Sequence, residues 1–154
     1  MCGICGVYEF GIAEPGVSED LITAMRDTMV HRGPDDAGVY VTASRRIGLG
    51  GRRLAIVDLS PGGRSPMPNE DRTVWITFNG EIYQFLELRG DLERSGHRFR
   101  SQTATEVILA AYDQWGTDCV QRFVGMFAFA LWDAPRRRLW LVRDRLGKKP
   151  LYFA

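Results

Sequence analysis

Apolar residues recur at helical spacing in three segments of the chain. The first segment follows Ser18, a residue type that caps helix N-termini, and has acidic residues in its first turn. The second ends at Gly96, and the third opens with the capping-box pattern Thr103-Ala104-Thr105-Glu106. The apolar positions of these predicted helices are Leu21, Ile22, Met25 and Met29 in the first, Phe85, Leu88 and Leu92 in the second, and Val107, Ile108, Ala111, Tyr112 and Trp115 in the third.

Shorter apolar runs between these helices predict strands. The predicted strands cover residues 3–10, 74–78, 126–132, 139–142 and 150–154, with two or three more among residues 38–42, 46–50 and 54–57. The runs 126–132 and 139–142 lack polar alternation, which predicts strands that are covered on both faces. We therefore expect packed sheets with helices outside them. The last predicted strand has no polar tail behind it, as expected of a fragment of a longer protein.

Composition narrows the class of protein. The chain has 154 residues, 45% of them hydrophobic and 25% charged, which suits one domain with a substantial core. The formal net charge of +1 argues against nucleic acid as the main partner. The sequence has neither a signal peptide nor an apolar run long enough to cross a membrane, so we expect a cytoplasmic protein. Its only arginine run, Arg136-Arg137-Arg138 after Pro135, predicts a solvated hairpin turn.

The opening Met1-Cys2-Gly3-Ile4-Cys5-Gly6 raises the question of what Cys2 does. A C-x-x-C pair can serve redox chemistry or bind a metal. Strand alternation, however, places Cys2 and Cys5 on opposite faces, and neither Cys119 nor the histidines show metal-ligand spacing. We therefore expect no metal site, and Cys5 and Cys119 are expected to be small buried apolar residues.

A nucleophilic Cys2 needs a base. His31 and His97 are candidates, although nothing in the sequence brings either one to Cys2. The α-amine of Cys2 itself is another candidate once Met1 is removed, because its ordinary pKa of about 7.7–8 suits proton transfer at neutral pH. The residues alone leave these alternatives open.

Six motifs in series resemble one family. They are the opening hexapeptide, His31-Arg32-Gly33-Pro34-Asp35, the run of residues 52–58 (RRLAIVD), Asn79-Gly80-Glu81-Ile82-Tyr83, Gly125-Met126-Phe127-Ala128-Phe129 and the run of residues 143–152 (RDRLGKKPLY). Together they resemble the N-terminal glutaminase domain of class II glutamine amidotransferases of the asparagine synthetase branch. The resemblance covers nearly the whole chain. It implies an α+β fold, the four-layer αββα sandwich of N-terminal nucleophile hydrolases, with residues 1–154 forming an incomplete glutaminase domain.

The resemblance also implies roles for individual residues. Cys2 would attack the side-chain amide of L-glutamine, and its α-amine would carry the proton. The Asn79 side chain and the Gly80 backbone N–H would form the oxyanion hole. Arg53 would bind the substrate α-carboxylate through a planar, bidentate contact. The remaining pocket residues implied by the family are Leu54, Ile56, Val57 and Glu81. Asp35 is expected to shape its loop.

Three positions depart from the family pattern. Ala104 stands where the family has an aspartate for the substrate α-ammonium, Gly51 replaces a histidine, and Gln84 replaces an asparagine. The function implied is hydrolysis of glutamine to glutamate and ammonia through a Cys2 thioester. An alternative is a degenerate domain with a scaffold or regulatory role, which Ala104 and Gly51 favour.

The resemblance implies partners as well. Ammonia would pass to an ATP-dependent synthetase domain, in cis or in trans, which is absent from this sequence. The glutaminase domain itself would need no cofactor, whereas ATP and magnesium would belong to the synthetase domain. The resemblance also allows a homodimer.

Overall fold

The computed structural model describes residues 2–55 and 61–154. The strands are β1 (Gly3–Tyr8), β2 (Asp36–Val41), β3 (Ile47–Arg53), β4 (Met67–Pro68), β5 (Val74–Ile82), β6 (Gly125–Asp133) and β7 (Arg138–Arg143). The α-helices are α1 (Glu19–Asp27), α2 (Phe85–Arg94) and α3 (Ala104–Trp115). They begin where the sequence predicts, and the Ser18 hydroxyl caps α1 by accepting from the Leu21 N–H at 3.1 Å.

The first sheet has the antiparallel order β1-β3-β2, and its centre is built around glycines. A Cβ added at Gly48 would lie 2.5 Å from the Ile22 side chain, so α1 sits directly on β3. The opposite face of β3 carries Ile47 and Leu49, which are buried against residues of β6. Alternation along β3 thus gives one face to the helix and the other face to the second sheet.

The second sheet has the antiparallel order β4-β5-β6-β7, with the main hydrophobic core between it and the helices α2 and α3. Core residues with less than 2% exposure include Ile76, Ile82, Leu92, Ile108, Phe123, Phe129 and Leu131. The layers run α1, first sheet, second sheet, and then α2 with α3. The predicted four-layer αββα sandwich is therefore confirmed.

The predicted strand over residues 54–57 is wrong where the structure describes it. Of the two or three strands expected among residues 38–57, the described residues contain two, β2 and β3, and β3 ends at Arg53, where its pairing with β2 also ends. Leu54 and Ala55 lie beyond it, and the Asp35 carboxylate accepts the Ala55 N–H at 2.8 Å. Asp35 therefore shapes this loop, as expected. Ile56 and Val57 lie outside the described residues.

The Asn79-Gly80 pair does not form the turn that such a dipeptide ordinarily makes. Strand β5 continues through both residues because β6 pairs with it along its whole length, from Val74 with Asp133 to Ile82 with Gly125. Tertiary pairing thus overrides the local turn preference.

Two further strand predictions are wrong. β6 is covered on both faces, but β7 lies at the edge of its sheet, where Leu141 remains 39% exposed. Residues 150–154 form no strand, and Tyr152 and Phe153 are almost fully exposed. An apolar run by itself does not show whether a second layer is there to cover it.

The capping box and the arginine run are each only partly as predicted. Thr103 caps α3 by accepting the Glu106 N–H at 3.3 Å, but the Glu106 carboxylate accepts the Arg100 and Ser101 N–H groups rather than that of Thr103. Residues 134–137 form the expected turn. Two arginines of the run nevertheless have partners. Arg136 pairs with buried Asp133, and Arg138, the first residue of β7, donates to the Tyr112 hydroxyl.

Among residues 2–55 and 61–154, the structure has no helix that is both long and apolar enough to cross a membrane.

Candidate active site

A cavity of about 90 Å³ lies where the ends of both sheets meet the N-terminus of α3. Residues from four separate parts of the chain line it. The predicted site residues among them are Cys2, Arg53, Leu54, Gly80, Glu81 and Ala104. The fold therefore brings together residues as far apart in sequence as Cys2 and Ala104.

Cys2 lies immediately before β1, at one wall of the cavity. The Arg32 side chain donates from Nε to the Cys2 carbonyl oxygen at 3.2 Å. The next residue, Gly33, lies so close to the backbone of Arg52 and Arg53 that a Cβ there would overlap it. The loop containing His31-Arg32-Gly33-Pro34 thus ties the Cys2 backbone to the end of β3. Sequence reasoning assigned Arg32 no separate role.

The other two thiols lie away from the cavity. The Cys5 side chain faces α1, and a Cβ added at Gly50 would lie 2.7 Å from its sulfur. Cys2 lines the cavity instead, so Cys2 and Cys5 lie on opposite faces, as predicted. Burial raises the pKa of the Cys5 thiol to about 11 and that of Cys119 to about 12. Both are therefore protonated at neutral pH, and the paired-thiol hypothesis loses its geometric basis.

Asn79 and Gly80 occupy neighbouring positions on β5 but differ in their relation to the cavity. Gly80 lines it, and a Cβ at Gly80 would overlap the Met126 carbonyl oxygen, so only glycine fits against β6. Asn79 lies on the face of β5 that points to the first sheet, 5% exposed and outside the cavity lining. The described residues provide no hydrogen-bond partner for its side-chain amide, so this amide is available as a donor.

Arg53 is the cationic side chain at the end of β3 that lines the cavity. It is 9% exposed, and its guanidinium lies against Gly63, where a Cβ would overlap it. Gly63 thus leaves room for the guanidinium beside the cavity. A buried, planar guanidinium suits the binding of a carboxylate by two parallel hydrogen bonds.

Sequence comparison agrees with this geometry. The family model described as "Glutamine amidotransferase domain" matches residues 1–154. The chain belongs to this family. It is 42% identical over 154 residues to glutamine-hydrolyzing asparagine synthetase 1 of Bacillus subtilis, covering 99% of this chain and 24% of that protein. It is 34% identical over 163 residues to amidase chry2 of Gibberella zeae, covering 97% of this chain and 24% of that protein.

A solved structure confirms the fold. The B. subtilis glutamine phosphoribosylpyrophosphate amidotransferase superposes with a TM-score of 0.67 at 16% identity, over 85% of this chain and 35% of that one. The chain spans about a quarter of the length of the two relatives named above. It is thus a glutamine amidotransferase domain related to the glutamine-hydrolyzing part of asparagine synthetases.

Two of the three departures from the family pattern, Gln84 and Gly51, have a physical explanation in the structure. Gln84 joins the start of α2 to the loop before β6, because its amide donates to the Arg122 carbonyl at 2.6 Å and accepts the Val124 N–H at 3.1 Å. Gly51 leaves space for Ser65, whose hydroxyl oxygen would lie 2.7 Å from a Cβ at that position. Ser65 lines the cavity and went unnoticed in the sequence, because a serine in a loop rich in proline and glycine carries no distinctive signal.

The third departure changes the charge of the cavity. Ala104 is the first residue of α3 and lines the cavity without contributing a polar group. Among the described residues that line the cavity, Glu81 is the only acidic one. The described lining of the cavity therefore has one carboxylate, that of Glu81, and two sources of positive charge, the N-terminus of α3 and the Arg53 guanidinium.

A turn near the end of the chain supports β6 from outside the cavity. The Asp144 carboxylate, 6% exposed, accepts backbone N–H groups of Phe127, Leu146, Lys148 and Lys149 at 2.9–3.2 Å. Burial by itself raises the pKa of this carboxyl, but the four donors outweigh it and hold the pKa below its ordinary value. The motif of residues 143–152 thus has a structural role here.

Proposed function

We propose that this domain hydrolyses L-glutamine to L-glutamate and ammonia, with Cys2 as the nucleophile. The supporting observation is that one small cavity is lined by Cys2, by buried Arg53 and by half-buried Gly80. A reactive thiol at one end and a carboxylate-binding cation at the other match the two ends of a glutamine molecule.

The chemistry follows from these positions. The Cys2 sulfur attacks the carboxamide carbon and its proton passes to the α-amine of Cys2, which requires prior removal of Met1. Asn79 and the Gly80 N–H stabilise the oxyanion. The protonated α-amine then returns this proton to the carboxamide nitrogen, the C–N bond breaks, ammonia departs and a thioester remains. Water attacks this thioester, which releases glutamate and restores the thiol.

Substrate binding belongs to a second set of residues. Arg53 holds the α-carboxylate, and Leu54 and Glu81 line the pocket beside it. The family resemblance adds Ile56 and Val57, which lie outside the described residues. Each step is assigned to a side chain or a backbone group of this chain, so the proposal invokes no cofactor within it.

The ammonia would be used by a synthetase unit, in cis or in trans. Relatives that are called asparagine synthetases are about four times as long as this chain, which leaves room for such a unit in them. In this proposal ATP and magnesium serve the synthetase unit, the setting is the cytoplasm, and the assembly is a homodimer, which light scattering can check.

A second candidate function is a scaffold or regulatory domain that no longer cleaves glutamine. The specific observation in its favour is that Ala104 lines the cavity where the family has a carboxylate. The arrangement of Cys2, Arg53 and Gly80 favours hydrolysis over this alternative.

Replacement of the nucleophile tests the proposal. Cys2→Ala should abolish ammonia release and labelling by a glutamine-like electrophile, whereas Cys5→Ala and Cys119→Ala should retain both. Mass spectrometry of the N-terminus should show that Met1 has been removed. Retained Met1, or equal loss of activity in folded Cys5→Ala, would contradict the mechanism.

A further inference from the structure

Ser65 occupies a notch that two glycines form in the first sheet. Gly38 on β2 and Gly51 on β3 are paired across the ladder, and a Cβ on either one would meet Ser65. The neighbouring Arg64 donates two hydrogen bonds, at 3.2 and 2.9 Å, to the Ala37 carbonyl oxygen. The loop is thereby fixed to β2, with Ser65 seated between the two sheets.

The hydrogen bonds around Ser65 determine the direction of its own proton. The Thr77 hydroxyl is fully buried and donates to the Gly50 carbonyl oxygen at 3.1 Å, because a carbonyl can only accept. Thr77 has no second hydroxyl hydrogen, so in its 3.2 Å contact with Ser65 it is the acceptor. Ser65 must then be the donor in that contact. The Ser65 oxygen consequently keeps both of its lone pairs available to accept hydrogen bonds from other groups.

Ser65 is half-buried and lines the cavity that contains Cys2 and Arg53. On the basis of the proposed function, we infer that Ser65 binds the substrate by accepting a hydrogen bond from one of its N–H groups. Glutamine offers two such donors, the α-ammonium and the carboxamide. Ser65 thus supplies a hydrogen-bond acceptor in a cavity that lacks the family's carboxylate at position 104. This role requires Gly51, because a larger residue there would displace the Ser65 hydroxyl.

The inference is tested by binding measurements in the Cys2→Ala protein, which holds the substrate without turning it over. Isothermal titration with L-glutamine and with L-glutamate compares Ser65→Ala with its parent. Loss of one hydrogen bond should weaken glutamine binding about 3- to 10-fold. Glutamate keeps the α-ammonium but lacks the carboxamide, so it identifies the donor: equal losses assign the α-ammonium, and loss for glutamine alone assigns the carboxamide.

Two further variants separate a binding role from a structural one. Ser44→Ala removes an exposed serine of the loop between β2 and β3 and should leave both affinities unchanged. Gly51→Ala keeps the Ser65 hydroxyl but crowds it, so it should also weaken glutamine binding, with the fold checked by circular dichroism. A folded Ser65→Ala protein with an affinity within twofold of its parent overturns the inference and leaves the proposed function intact. A parent protein that binds neither amino acid overturns both.

Discussion

At the residue scale, Ala104 makes this domain differ most clearly from its family. The structure places it in the cavity lining, at the first position of α3. Cys2, the proposed nucleophile, and Arg53, the proposed carboxylate-binding residue, line the same cavity. We therefore expect weak substrate binding together with an intact chemical step.

Restoring the acid should strengthen binding. A hydrogen bond to a charged group contributes about 1.5–3 kcal/mol, so Ala104→Asp should lower the KM for glutamine roughly 10- to 100-fold with little change in kcat. Ala104→Asn, which has the same shape without the charge, is the matched control and should gain much less. Steady-state kinetics measure both. An unchanged KM in Ala104→Asp would mean that Glu81 or Ser65 already satisfies the ammonium, or that the natural substrate is a different amide.

At the scale of elements, the turn after β7 depends on Asp144. Its carboxylate satisfies four backbone N–H groups, one of them on β6. Asp144→Asn should lower the free energy of unfolding by about 2–4 kcal/mol at neutral pH, because charge-assisted hydrogen bonds are lost. Asp118→Asn, at an exposed acidic position, should change it by less than about 0.5 kcal/mol.

The same carboxylate predicts a pH dependence. Its pKa in the folded protein lies below that of the unfolded chain, so its stabilising effect is fully present above pH about 4. This effect is lost as the pH falls through the folded-state pKa. Urea unfolding across this range should therefore show the difference between the native protein and Asp144→Asn shrinking at acidic pH. A difference that stays constant down to pH about 2 would contradict the role of the charge.

At the scale of the whole molecule, the candidate-site cavity lies where the ends of the two sheets meet. Tyr40 of β2 stacks on Trp75 of β5 with ring centroids 3.9 Å apart, which joins the sheets away from the cavity. Trp75→Ala should lower the free energy of unfolding by about 2–4 kcal/mol. Tyr40→Phe retains the stack and should change it little. One cooperative transition is expected in both variants, and a separate unfolding step for either sheet would contradict the view that they share a core.

The sequence by itself determined the helices and the chemistry available. The caps at Ser18 and Thr103 and the helical spacing predicted the helices because these signals act within a few residues. The resemblance further allowed Cys2, Arg53, Gly80, Glu81 and Ala104 to be assigned to one pocket, and the structure brings them together.

Tertiary structure decided what depends on distant partners. Pairing with β6 keeps Asn79-Gly80 in a strand, although this dipeptide ordinarily forms a turn. The position of β7 at the edge of its sheet leaves that strand partly uncovered. The role of Ser65 depends on glycines of two other strands and on Thr77 of the opposite sheet. No local pattern encodes such contacts, because side chains that meet across layers share no fixed spacing in the sequence.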